Sequence, residues 1–200
     1  MPVVKQVTYY SFDELSEQAQ QRVIDKVRGW DLLSDVFLSD EEFIIQDFKE
    51  RHPHIGNMDV RYSGFCSQGD GASFTGYISA EWVIDNLLSD ELKTIVRDID
   101  CTFERHSSRY CHENTVSTQL EDIFWADHIE ESDILRSSLM EQHCRDIADT
   151  IEEYRLELCH KLYGELEQGY DDCHSDESIK QMILDNDYLF DINGYIYPPV

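Results

Sequence analysis

Between Glu121 and Tyr163 the chain contains no glycine, and between Pro53 and Pro198 it contains no proline. A stretch without either residue has nothing to break a helix. Within and just beyond it Leu135, Leu139, Ile147, Ile151, Tyr154, Leu158, Leu162 and Leu166 recur at threes and fours. That spacing predicts one long helix or two broken ones. The aliphatic stripe from Ile147 to Leu166 has two uses, a homodimer seam or packing against a sheet, and periodicity alone does not choose between them.

The same region is where negative charge concentrates. The first 118 residues carry 21 acids and 11 bases, a net of −10, whereas the last 82 carry 21 acids and 5 bases, a net of −16. Asp146, Asp149 and Glu153 fall on one helical stripe, continued by Glu157. Glu152, Glu165, Glu167, Asp171 and Asp172 add to the acidity around it. Like charges three or four residues apart cost a helix a few tenths of a kcal/mol each, so the stripe opposes the helix that carries it.

Two readings account for it. One is a solvated face in an acidic protein. The other is imitation of nucleic acid. Duplex DNA carries one charge per ~1.7 Å of axis, so a net charge of −26 corresponds to about 44 Å of duplex. A compact chain of 200 residues has a radius of gyration of roughly 16 Å and a diameter of roughly 40 Å. The magnitude is therefore right for a decoy; the geometry requires the carboxylates to share a surface.

The charge also excludes partners. With 42 acids against 16 bases, direct binding of nucleic acid through its phosphates and docking on anionic lipid are both disfavoured. The opening MPVVKQVTYYSFDEL has no basic segment leading into an apolar one, and no apolar run approaches the roughly 18 residues of a membrane span. A cytosolic chain without membrane contact is expected.

The pattern of elements predicts an α+β fold: an antiparallel sheet of four to six short strands with helices on one side and a long acidic C-terminal helical region. Residues 1–200 read as a single domain, with a mixed part at 1–118 and a mainly helical part at 119–200 ending in a short hairpin. In detail, VVKQVTYYSF predicts a first strand. The capping box Ser11–Glu14 predicts a helix burying Leu15, Ala19, Val23, Ile24 and Val27. A second box, Ser39–Glu42, predicts a helix burying Phe43, Ile44 and Phe48 and ending at His52–Pro53. Met58–Ser63 and Ser73–Trp82 read as paired strands. Ser89 caps a helix carrying Leu92, Ile95, Val96 and Ile99. Cys101–Ser107 and Tyr110–Thr118 read as a second hairpin. Asp176–Glu177 opens a short helix, and Asn193–Gly194 turns a last hairpin between Asp187 and Tyr197.

Gly64–Ala72, between the first two paired strands, is rich in glycine and polar residues. Three glycines near Asp70 allow positive φ and close backbone approach, so successive amides can cup an anion. Ser67, Gln68, Gly69, Asp70, Gly71 and Ser73 are its recognition candidates. The alternative is a tight loop in which Asp70 bonds its own backbone. His106 and His112 face each other across the second predicted hairpin, with Glu104 or Glu113 within reach; cross-strand structural pairing is the plainer use of them. No catalytic motif accompanies them. Six cysteines (66, 101, 111, 144, 159, 173) show no CxxC and read as free thiols. Four of them adjoin a histidine, but neighbouring side chains diverge, so neither metal nor cofactor is expected.

YSGFCSQGDGASFTG (62–76), SRYCHENTV (108–116) and the tail LYGELEQGYDDCHSDESIKQMILDNDYLFDINGYIY together resemble a group of small acidic bacteriophage proteins, often labelled antitoxin-like. These carry an SGFxSQGDGASF-type core, a YxH element and a long acidic C-terminal helix. The resemblance transfers no catalytic residue. It implies an accessory protein in the cytoplasm of an infected host, one that inhibits a defence or toxin protein by binding it, as anti-CRISPR, anti-restriction and antitoxin-like proteins do. The partner would be a basic, nucleic-acid-binding host protein met through Asp146, Asp149, Glu152, Glu153, Glu157, Glu165, Glu167, Asp171 and Asp172. The competing expectation is an enzyme or small-ligand-binding protein built on the Ser67–Ser73 loop and the His106/His112 hairpin.

Overall fold

The computed structural model describes residues 7–126 and 134–197, apart from the side chains at 31–36, 38–39 and 134–138. Residues 3–6 of the expected first strand, and the side chain of Leu135, lie outside the described set. The fold is α+β, and its residues divide into two compact units: 43–167, and 1–42 with 168–200. The charge boundary drawn after Thr118 falls inside a strand.

The unit 43–167 holds a four-stranded antiparallel sheet in the order β1 (Ile55–Ser63), β2 (Gly71–Ile78), β3 (Val96–Arg105) and β4 (Val116–Trp125). All helices of this unit lie on one face of it. They are the end of α2 (Asp31–Arg51), α3 (Ala80–Asn86), α4 (Asp90–Ile95) and most of α5 (Ile134–Cys173). Alternation sends Ile99, Cys101 and Phe103 inward beside Phe74 of β2, and Ile147, Ile151, Leu158, Leu162 and Leu166 of α5 cover them. The aliphatic stripe is therefore consumed within the unit, against the sheet. Buried groups of that size contribute about 1.5–3 kcal/mol each.

Several boundaries depart from expectation for identifiable reasons. α2 runs through the Ser39–Glu42 box without restarting, and Phe43, expected in the core, is 74% exposed; Phe48 alone of that set is fully buried. The second predicted strand stops at Ser79, whose hydroxyl accepts the Trp82 amide and caps α3. Ser89 caps α4 as expected, but Val96 and Ile99 belong to β3. α5 is one helix, continuous through Gly164.

In the other unit the Ser11–Glu14 box is present but heads only a short 3-10 turn, Phe12–Glu14. The helix α1 (Glu17–Val27) begins afresh at Ser16, because Leu15 is extended. Ala19, Val23, Ile24 and Val27 pack on Ile179 and Ile183 of α6 (Asp176–Asp185), with Phe12 and Phe190 closing the core. Tyr10 pairs with Phe190 as a single bridge rather than a strand. β5 (Leu189–Phe190) and β6 (Ile196–Tyr197) make the last hairpin around Gly194, whose φ is 84°.

Candidate functional site

On α5 the side chains of Asp146, Asp149, Glu153 and Glu157 are exposed on one stripe. At 1.5 Å rise per residue they span roughly 16 Å, about one carboxylate per 5 Å. This is sparser than the ~3.4 Å axial spacing of phosphates along one DNA strand. Asp146 accepts a hydrogen bond from Gln142 at 2.6 Å. Among the described residues, Asp149, Glu153 and Glu157 have no cation within ion-pair distance. Glu167 is exposed as well, and Asp171 and Asp172, in the other unit, are exposed near the end of the helix.

Two of the other carboxylates expected to meet the partner have other work. Glu165 is half-buried and pairs with Arg51 at 2.5 Å. Glu152 turns inward, where both its oxygens hold the guanidinium of Arg155, at 2.9 and 2.5 Å. It also accepts the Thr118 amide and hydroxyl, at 3.2 and 2.6 Å. These bonds, the Arg155 contact foremost, hold the Glu152 carboxyl down at about 2. Arg155 is 1% exposed and donates further to the Glu113 carbonyl at 3.0 Å.

The spacing contained this. Residues 147, 151, 155, 158, 162 and 166 form one core line, so an arginine at 155 has to be buried, and a buried charge has to be paired.

The glycine-rich segment is closed by Asp70. Its Oδ2 accepts the amides of Cys66 at 3.0 Å and Ser67 at 2.6 Å, and its own amide donates to the Ser67 carbonyl. The amides suited to an anion thus donate to the loop's own carboxylate. Ser67 and Gln68 are exposed, Gly69 is half-buried, and Gly71 is buried against His112. Ser73 lies in β2, completely buried.

Ser73 belongs to a polar wedge that the sequence did not announce. β2 and β3 are joined only at Gly76–Phe103 and Tyr77–Thr102, so β2 separates from β3 toward Ser73. Arg105 bridges here, its Nη1 donating to Ser73 Oγ at 3.0 Å and Thr115 Oγ1 at 3.4 Å. Ser73 in turn donates to the Cys111 carbonyl at 2.7 Å, and Thr115 to that of His112 at 2.8 Å. Burial lowers the Arg105 pKa. The histidine pair expected across this hairpin is differently engaged. His112 Nδ1 accepts the Asn114 amide and its ring lies beside Tyr110, while Glu113 faces His160 at 3.8 Å.

A second unannounced cluster joins the turn before β1 to α3 and α5. His54 stacks on Trp82 with ring centres 3.8 Å apart and 9° between planes, and its Nε2 is hydrogen-bonded to the Tyr154 hydroxyl at 2.7 Å. Burial, with His52 nearby, lowers His54 to about 4, and burial raises Tyr154 to about 12. Both are therefore neutral at pH 7, as a packed joint requires.

All six cysteines are free thiols, and Cys101, Cys159 and Cys173 are buried. Among the described residues no group of three or more His, Cys, Asp or Glu side chains is arranged to hold a metal ion, and no helix is long and apolar enough to cross a membrane.

Residues 41–176, 136 of 200, match the family model described as a domain of unknown function, DUF8835. The chain belongs to this family. No curated protein and no solved structure matches it. The DUF8835 segment spans β1–β4, the buried wedge and the exposed stripe on α5; α1 and the β5–β6 hairpin fall outside it.

Proposed function

We propose that the protein works by binding, as an acidic inhibitor that occupies the cationic, nucleic-acid-binding groove of a host defence or toxin protein in the cytoplasm of an infected bacterium. The supporting observation is the α5 stripe. Asp149, Glu153 and Glu157 stand exposed and, among the described residues, have no cation within ion-pair distance, at a cost to the helix. Complementary charge accelerates encounter and makes such binding salt-sensitive.

Capture from bacterial lysate on the immobilised protein tests this. A basic protein should be retained at low salt and released near 1 M, where the Debye length is about 3 Å. The purified partner should then lose its nucleic acid in competition with this protein. Retention that ignores salt, or a partner that keeps its nucleic acid bound, would sink the reading.

A further inference from the structure

The face of the sheet turned away from the helices carries the Asp59–Arg61 ion pair on β1 and, across β2, β3 and β4, exposed rings and acids. Register places Tyr77, Thr102 and Gln119 in one row across β2, β3 and β4; beyond them Asp100 stands opposite Asp122, and Asp98 opposite Phe124. Tyr77 and Phe124 are each 52% exposed. From strand spacing and rise the Cα atoms of Tyr77 and Phe124 are about 16 Å apart, with the Asp100–Asp122 pair between them. Like charges directly opposite on a sheet are destabilising, so this pair is a standing cost to the fold. Thr102, between Tyr77 and Gln119, carries a buried hydroxyl without a partner.

The Tyr77 ring is held in place. It lies across Gly56 of β1, where an added Cβ would come within 2.0 Å of the ring Cζ. A glycine at that position makes room for the ring, and Tyr77 stays 52% exposed.

We infer that this outer face is a docking surface for an extended, arginine- or lysine-bearing segment of a partner protein. Cationic side chains would sit over the Tyr77 and Phe124 rings and against Asp98, Asp100 and Asp122. Charge complementarity selects the occupant: an acidic or neutral segment would leave the opposed aspartates unrelieved, whereas cations relieve them and favour the ring faces. The surface lies on the other side of the sheet from α5, so it is independent of the carboxylate stripe and stands or falls separately from the reading based on it.

The test uses the full-length protein and a ten-residue peptide of alternating arginine and serine, which places every arginine on one side of an extended strand. Amide chemical shifts should move on β2, β3 and β4 around Tyr77, Thr102, Asp100 and Asp122, and the binding should saturate. Tyr77→Ala and Phe124→Ala should each weaken it about two- to fivefold without any change of charge. Gly56→Ala displaces the ring of Tyr77 and should reproduce the Tyr77→Ala loss. Asp149→Asn/Glu153→Gln/Glu157→Gln should leave the sheet-face shifts in place. Shifts confined to α5, affinity that follows charge but not the rings, or no saturable binding would each overturn the inference. The first of these would leave the α5 reading intact.

Discussion

Glu152 and Arg155 sit one turn apart on α5, and the carboxylate of the first encloses the buried guanidinium of the second while also bonding Thr118 of β4. This joint fixes the long helix to the edge of the sheet. Removing one partner of a buried pair leaves an uncompensated charge, which costs about 3–5 kcal/mol. Glu152→Ala should therefore lower the urea midpoint severely, and Glu152→Leu/Arg155→Leu should cost clearly less than its single replacements together. Because Glu152 titrates near 2 rather than 4.5, its contribution is complete above about 4.5 and is lost as pH falls toward 2.

His54 gives a second pH dependence in a different window. The unfolded chain takes up a proton on this residue near 6.5, the folded protein only near 4, so stability should decline as pH drops between those values. Its neighbours are His52, the Trp82 ring and the Tyr154 hydroxyl, with Glu157 acting on Tyr154. None of these supplies a carboxylate bonded to the imidazole. His54→Phe keeps a ring on Trp82 and should flatten the decline in urea midpoint between pH 6.5 and about 5, above the ordinary carboxylate range. In the unaltered protein the His54 ring resonances should stay constant over that interval; a shift centred near 6.5 would contradict the burial argument.

The glycine-rich loop predicts an order of sensitivity. At Gly64, with φ of 39°, an added Cβ meets the Asp70 carboxyl at 2.6 Å, a side-chain tip that gives way by loosening its bonds to the Cys66 and Ser67 amides. At Gly71 the Cβ meets Cα and Cβ of His112 at 2.7 and 2.6 Å, where backbone must move. Gly64→Ala should cost roughly 1 kcal/mol and Gly71→Ala roughly 2–3 kcal/mol by urea denaturation. Asp70→Ala should instead speed hydrogen exchange at the Cys66 and Ser67 amides alone. Slower or unchanged exchange there would mean that the carboxylate does not close the loop.

What the sequence made legible follows from the range of the forces involved. Serine caps at 79 and 89 act within one turn, yet only Ser89 is plain from local pattern, since Ser79 sits inside an alternating run that reads as strand. The core lines of α1 and α5 are readable from periodicity, because burial follows 3.6-residue spacing directly, except that Leu139 of the α5 line is 53% exposed and Arg155 is buried within it. Local pattern misplaces Phe43 because a capping box normally marks a helix start, whereas α2 continues unbroken through it. The wedge of Arg105 with Ser73, and the stack of His54 on Trp82, depend on where strands separate and which helix crosses them. Residues 32 and 28 positions apart carry no local signal of such meetings.

The exposed stripe on α5 makes the sharpest test of purpose, because stability and binding should respond in opposite directions. Neutralising Asp149, Glu153 and Glu157 together as Asn, Gln and Gln removes like-charge repulsion worth a few tenths of a kcal/mol per pair, so the protein should gain roughly 0.5–1 kcal/mol in urea denaturation. The same variant should lose at least tenfold in affinity for a basic protein captured at low salt, with a shallower dependence on salt. Glu165→Gln is the internal control: its carboxylate is tied to Arg51, so stability should fall and affinity change little. A stripe that only solvates the helix would give the gain in stability with no loss of binding.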